Sequence, residues 1–170
     1  QMWAAQYCKF STPRSFITNG GLGSMGFGLG AAIGAQMSTG KHAILVTGDG
    51  GFGMCLNEMA TAVTYNIPVV IVLVNNGVLG MVRQMQKLFF EERFSNTSLN
   101  RKTDFVKLAE AFGAEGYRAL TIKEFKEAMD KAIKVNGPVV VECIVNKEEL
   151  VLPMLPSGKS VEHIIVKAGE

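Results

Sequence analysis

Residues 69–74 read VVIVLV, and residues 42–47 read HAILVT. Runs of β-favouring residues without a polar residue at every second place suit strands covered on both faces; a half-solvated strand alternates. Between them, residues 54–66 carry a helical pattern, and Pro68 ends the connection. Two doubly covered strands joined by a helix form a βαβ unit, which is right-handed and makes its strands parallel. The chain is therefore expected to be α/β.

The remaining segments extend that frame. After an irregular opening, residues 20–34 (GGLGSMGFGLGAAIG) begin with turn glycines and continue as a glycine- and alanine-rich segment holding Met25, Phe27, Leu29 and Ile33. Glycine costs about 1 kcal/mol against alanine inside a helix, so a helix here needs close contact with a neighbour. Residues 80–90 are patterned as a helix, and 91–102 read as a polar loop. Thr103 or Asp104 caps a helix ending at Gly113. Thr121 and Glu124 form a capping box for a helix running to about Val135, with Phe125, Met129, Ala132 and Ile133 on one stripe. Asn136-Gly137-Pro138 stops it, residues 139–145 (VVVECIV) supply another buried strand, and a Pro-containing tail closes the chain. The expected fold is a doubly wound, mainly parallel sheet with helices on both faces.

At 170 residues and 48 % apolar composition, the chain suits one domain with a proper core, residues 1–170. A net charge of +2 without charge runs gives no track for nucleic acid and no membrane-surface helix. The longest apolar run, residues 67–74, is too short to span a bilayer. Cys8, Cys55 and Cys143 are odd in number and widely spaced, against a disulfide framework or a zinc site. They are expected as small buried residues in a reducing, cytoplasmic protein. His42 and His163 have no ligand-spaced companions. The chain opens QMWAAQY without a methionine, so it is expected to be a fragment of a longer multidomain subunit.

The spacing G-x-G-x-x-G occurs twice, at Gly21-Gly23-Gly26 and Gly48-Gly50-Gly53. The first follows a poor strand. The second follows a good one but holds Asp49 inside its phosphate-type turn, and the next strand ends in Asn75-Asn76 where a dinucleotide site wants an acid. Two like charges about 4 Å apart repel by roughly 4 kcal/mol at an effective dielectric near 20. A carboxylate facing a diphosphate therefore needs a cation between them. No lysine or arginine lies in the turn, and the nearest basic residues along the chain are His42 and Arg83. A divalent ion meets the need, and Mg²⁺ takes about six oxygens, commonly from one or two side chains, phosphate and water. Asn76 ends the neighbouring parallel strand, at the sheet edge where such domains bind ligands. It offers an amide oxygen, and the Val78 carbonyl in the next turn a third ligand.

Residues 48–76, GDGGFGMCLNEMATAVTYNIPVVIVLVNN, resemble the thiamin-diphosphate signature. QMWAAQ, GGLGSMGFGLGAAIGA, NNGVLGMVRQMQ, DFVKLAEAFGA and VLPMLPSG are similar to the carboxy-terminal domain of the acetolactate (acetohydroxyacid) synthase catalytic subunit, over nearly the whole chain. The resemblance implies a thiamin-diphosphate-binding fold and a transferase that decarboxylates pyruvate and joins the remainder to a second 2-keto acid, in branched-chain amino acid biosynthesis. It implies Asp49, Asn76 and the Val78 carbonyl as Mg²⁺ ligands, and Gly50 and Gly51 as N–H donors to the diphosphate. Gly23, Ser24 and Met25 would meet the aminopyrimidine, with Met25 propping the cofactor's bend; Gly77, Gly80 and Met81 complete the cofactor-binding set. Met85 would line the substrate pocket.

No catalytic residue is implied in this chain. The glutamate that protonates the pyrimidine belongs to an upstream pyrimidine-binding domain, supplied by a second subunit of a homodimer or higher oligomer. A regulatory subunit, and FAD held by another domain, belong to the same implication, and the isolated piece is expected to be inactive. Met85 stands where the family often has tryptophan, Gly30 where it often has proline, and Gly77 and Val78 where side chains are often polar. Other readings are another carboligase, such as one acting on glyoxylate, a Rossmann NAD-dependent dehydrogenase, and a non-catalytic module that keeps the site for regulation.

Overall fold

The computed structural model describes residues 1–167. In chain order the elements are α1 (Met2–Tyr7), α2 (Phe27–Thr39), β1 (Ala43–Gly48), α3 (Asp49–Phe52), α4 (Met59–Thr64), β2 (Val69–Asn75), α5 (Gly80–Phe89), α6 (Phe105–Phe112), β3 (Glu115–Ala119), α7 (Ile122–Ala132) and β4 (Val139–Ile144). The four strands form one parallel sheet in the order β1-β2-β4-β3.

Strands β2 and β4 are covered on both sides, as their lack of alternation requires; β1, expected to be covered alike, is an edge strand with Leu45 buried but Ile44 and Val46 exposed, because α7 packs on β3 and β4 and does not reach it. Val69, Ile71 and Leu73 of β2 enter one cluster with Leu29, Ile33, Leu45, Phe52, Met59, Phe105 and Val140. Val70 enters the other with Val139, Val141, Ala128 and Ala132. Thus α2, α4 and α6 lie on one face and α7 on the other. Each fully buried valine or leucine contributes about 1.5–3 kcal/mol, so β2 and β4 anchor the domain.

The glycine-rich α2 survives because its backbone is pressed onto the sheet. A Cβ on Gly28 would stand 2.6 Å from Leu45 Cδ1, and one on Gly26 would stand 3.2 Å from Met54 Cβ. Gly30 sits within the helix. At α7 the capping box forms as predicted: Glu124 N donates to Thr121 Oγ1 and Thr121 N to the Glu124 carboxylate. Asp104 caps α6, accepting from Lys107 N, and Gly113 ends it in the left-handed conformation.

Five further expectations change. The opening is not wholly irregular, since α1 forms there. The helix predicted over 54–66 starts later and is shorter, a 3₁₀ turn at Leu56–Glu58 leading into α4, Met59–Thr64. Strand β3 was not anticipated. Ile133 falls off the α7 stripe and is exposed. The cysteines are not deeply buried: Cys8 is exposed, and Cys55 and Cys143 are half-buried. Among the described residues, no helix is long and apolar enough to cross a membrane.

Candidate functional site

Strand β1 pairs with β2 so that Gly48 stands opposite Val74. The chain leaving β1 therefore emerges beside the chain leaving β2, and Asp49 lies next to the Asn75-Asn76 doublet. Asp49 is the first residue of α3 and only 2 % exposed. Its Oδ1 is buried without a hydrogen-bond partner. Burial pushes its carboxyl above the ordinary value; its own N–H, the Gly50 N–H, the Arg101 charge and the Asn76 N–H pull the other way. The Asp49 carboxylate and the Asn76 backbone thus meet at one end of the fold.

The doublet divides its work. Asn75 Nδ2 donates to Glu142 Oε1 at 2.8 Å, and Asn75 Oδ1 accepts from Gly77 N at 3.2 Å. Asn76 Oδ1 accepts from Val78 N at 3.1 Å, which leaves that oxygen a second lone pair. Gly77 has φ +68, where L side chains are strained. A Cβ on Gly80 would lie 3.0 Å from Asn76 Nδ2, so the start of α5 sits tightly on the turn. Val78 is buried and bridges to Ser98, flanked by Leu79 N donating to Thr97 O and Leu99 N to Gly77 O.

The third loop is GLGSMG. Gly23, at φ +63, donates its N–H to Asn19 O, and Asn19 Nδ2 donates to Ser24 O. This tight loop presents Met25, 45 % exposed, toward the Asp49 turn. A Cβ added to Gly50 would meet Leu79 Cδ2 at 3.0 Å, Met25 Cε at 3.3 Å and Leu99 Cδ1 at 3.7 Å. Side chains from three loops converge on Gly50, and only glycine leaves them room. Gly51 is crowded in the same way by Thr47 Oγ1. Met81 is half-exposed on α5. Met85 lies apart from this cluster, lining an open groove of about 530 Å³ with Val82, Gln86, Phe90 and Arg93.

The cation expectation needs one correction. No basic residue is near Asp49 in sequence, yet the fold brings Arg101 to it: Arg101 Nη1 donates to Asp49 O at 2.8 Å. The guanidinium engages the backbone oxygen and leaves the carboxylate Oδ1 unpartnered. Leu79, Thr97, Leu99 and Arg101 were missed as site-shaping residues. Nothing local marks them, because their contacts span up to 52 residues of chain.

A buried, unpartnered carboxylate oxygen at the same end of the fold as the Asn76 amide oxygen and the Val78 turn offers a set of hard oxygen donors. Such a set suits Mg²⁺ or Ca²⁺ rather than a soft transition metal. Among the described residues, no three His, Cys, Asp or Glu cluster to hold an ion, so a metal here would take one carboxylate and carbonyl oxygens.

Comparison with known proteins gives the family of the chain. Residues 1–143 match the family described as thiamine pyrophosphate enzyme, C-terminal TPP binding domain. The chain is 44 % identical over 166 residues to a probable acetolactate synthase large subunit of Methanocaldococcus jannaschii, covering 97 % of this chain and 28 % of that protein. It is 41 % identical to the acetolactate synthase isozyme 2 large subunit of Escherichia coli, covering 98 % and 31 %. It is 44 % identical to the mitochondrial acetolactate synthase catalytic subunit of Saccharomyces cerevisiae, covering 97 % and 24 %. The chain therefore spans less than a third of the length of these relatives. Among solved structures, a thiamine diphosphate-dependent 4-hydroxybenzoylformate decarboxylase of Rhodococcus jostii RHA1 superposes with a TM-score of 0.69 at 34 % identity, over 73 % of this chain and 24 % of that one. The chain belongs to the family of C-terminal thiamine pyrophosphate-binding domains of thiamine pyrophosphate enzymes.

Proposed function

We propose that this chain is the diphosphate- and Mg²⁺-binding domain of an acetolactate synthase, the enzyme that decarboxylates pyruvate and joins the remainder to a second 2-keto acid. The observation that carries the reading is the orphaned Oδ1 of buried Asp49, placed against the Asn76 turn. A buried acceptor without a partner costs about 1–3 kcal/mol. A metal ion bridging Asp49, Asn76 Oδ1 and the Val78 carbonyl to a diphosphate would offset that cost.

Thiamin diphosphate, when bound, supplies the electron-accepting centre that 2-keto acid decarboxylation needs. The chain's own residues hold and shape it. Gly50 and Gly51 open the first turn of α3, where N–H groups without an intrahelical partner favour an anion, the Gly50 N–H already facing the Asp49 carboxyl. Met25, already against Gly50, limits how the cofactor's middle can lie, with Gly23 and Ser24 fixing its loop and Gly77, Gly80 and Met81 completing the wall. Met85 belongs to the substrate entrance, from the groove it lines.

Completion by other parts fits the surface. Leu22 is 93 % exposed, and Ile44, Val46 and Met37 are exposed as well; apolar side chains left in solvent mark surfaces that meet a partner. A pyrimidine-binding domain from a second subunit would cover part of them. A regulatory subunit and an FAD site elsewhere in the longer polypeptide belong to the same reading, as does inactivity of the isolated domain. The resemblance of segments such as QMWAAQ, NNGVLGMVRQMQ and VLPMLPSG, and the names of the relatives, favour acetolactate synthase over a glyoxylate carboligase.

Titration of the full-length polypeptide with thiamin diphosphate, with and without Mg²⁺, tests the site. Metal-dependent binding that disappears in Asp49→Ala is expected; binding indifferent to both would overturn the assignment. Release of CO₂ from pyruvate by the same polypeptide separates an enzyme from a cofactor-holding module, and the product identifies the carboligase.

A further inference from the structure

Gly53 closes the GDGGFG turn at φ −59, where any residue is comfortable. Its lack of a side chain therefore needs a reason other than conformation. The reason is space: a Cβ there would overlap the Arg101 guanidinium, with Arg101 Cζ at 3.0 Å and Nη2 at 3.1 Å. Gly53 is the seat of Arg101. Seated there, Arg101 Nη1 donates to Asp49 O, which also accepts from Gly53 N and so closes the first turn of α3.

Arg101 ends a short strap whose other end grips the second turn of the candidate site. Thr97 O accepts from Leu79 N at 2.8 Å, Leu99 N donates to Gly77 O at 2.9 Å, and Ser98 bridges to Val78. Leu99 also lies over Gly50. Within five residues, one segment thus touches both turns that carry the ligands assigned above. Those turns leave different strands, and this segment ties them together from outside the sheet.

We propose that residues 97–101 set the separation of the Asp49 and Asn76 turns for the metal-diphosphate complex, with Arg101 as the positioning residue on the Asp49 side. The inference rests on the proposed function. Arg101 contacts neither metal nor cofactor; it acts through the Asp49 backbone. Its hydrogen bond is charge-assisted, a single bond from Nη1 of a planar guanidinium seated over Gly53, so methionine, of similar reach, removes the effect and lysine keeps only part of it.

The test is Mg²⁺ titration of the full-length polypeptide at saturating thiamin diphosphate, with thermal melting of each unliganded variant alongside. Arg101→Met is expected to raise the Mg²⁺ dissociation constant about tenfold, the scale of one lost charge-assisted hydrogen bond. Gly53→Ala, which evicts the guanidinium without backbone strain, is expected to do nearly the same. The double variant is expected to be no worse than the weaker-binding single one, since both remove one contact. Arg101→Lys, the mildest change, falls between wild type and Met. The proposal is overturned if folded Arg101→Lys and Gly53→Ala proteins bind Mg²⁺ like wild type, if the two losses add, or if melting temperature falls while Mg²⁺ affinity stays put. A wild-type protein that binds thiamin diphosphate without regard to Mg²⁺ would instead sink the functional reading beneath it.

Discussion

Two carboxylates sit near the carboxyl edge of the sheet, one on each side of β2, and both are 2 % exposed: Asp49 just after β1 and Glu142 on β4. Glu142 is fully engaged. Its Oε1 accepts from Asn75 Nδ2 and its Oε2 from Arg118 Nε at 2.7 Å, while Arg118 Nη2 reaches Asp104 at 2.6 Å. Asp49 has an oxygen with nothing to accept from. The Asn75-Asn76 doublet stands between them, Asn75 tied to Glu142 and Asn76 facing Asp49. Burial alone therefore does not distinguish a structural carboxylate from one kept for a ligand; the satisfaction of its lone pairs does. Proteins tolerate such local inconsistencies at working sites and rarely elsewhere.

That contrast is most easily broken at its extremes. Asp49→Ala is expected to weaken Mg²⁺-dependent thiamin diphosphate binding on the order of 1000-fold, while the unliganded protein's stability changes by less than about 1 kcal/mol because removal of the buried, unpartnered Oδ1 offsets the loss of the Gly50 and Asn76 N–H contacts. Isothermal titration and a urea melt of the same preparation check both halves. Glu142→Ala should show the reverse: a loss of about 3 kcal/mol in the urea melt, because Asn75 and Arg118 lose a buried partner, and a smaller effect on cofactor binding, transmitted through the Asn75-Gly77 contact. If Asp49→Ala destabilises as strongly as Glu142→Ala, the two carboxylates are alike and the contrast is wrong.

How much of this could be read from the chain follows the same division. β2 and β4 were legible because double burial writes itself as unbroken valine and isoleucine; β1 is as apolar, but its Ile44 and Val46 are exposed. The capping box at Thr121 and the glycine stop at 113 were legible because their partners lie within a few residues. Asp49 and Asn76 were legible because the carboxylate contradicts its own glycine turn. Strand β3, EGYRA, was not: an edge strand paired on one side only, with a glycine and two charges, carries no apolar signature. Arg101 was out of reach because its position depends on how a polar loop is threaded across the sheet edge.

Gln84 extends the contrast to a neutral group. It is buried on α5, with Nε2 donating to Val151 O at 3.0 Å and Oε1 accepting from Val151 N at 2.7 Å. Both ends are satisfied, as for Glu142, so it should behave as structure. Gln84→Ala strands the Val151 N–H and C=O and is expected to cost about 2 kcal/mol in the urea melt. Unchanged Mg²⁺ affinity alongside that loss is the expected pattern, checked by titration of the same preparation.

The smallest effect lies at the far end of the Glu142 network. The Asp104 carboxyl is held below its ordinary value of 3.8, chiefly by the Lys107 N–H; desolvation, next in size, opposes it, and the hydrogen bond and charge of Arg118 and the charge of Lys107 add to the lowering. With the folded value depressed, the unfolded chain binds more protons in the window between that value and 3.8. Stability therefore rises with pH there, is complete above 3.8, and is lost as pH falls through the folded value. Asparagine caps a helix as well as aspartate does, so Asp104→Asn keeps the acceptor for Lys107 N and removes only the charge facing Arg118. Melting curves from about pH 2.5 to 5 should then show a shallower acid limb in the variant and near-coincidence above pH 5. Because Asp104 is exposed, about 1 M salt, with its screening length near 3 Å, should shrink the difference. Overlaid acid limbs at low salt would mean that Arg118 serves Glu142 alone, and that the satisfied carboxylate needs no support beyond its two direct partners.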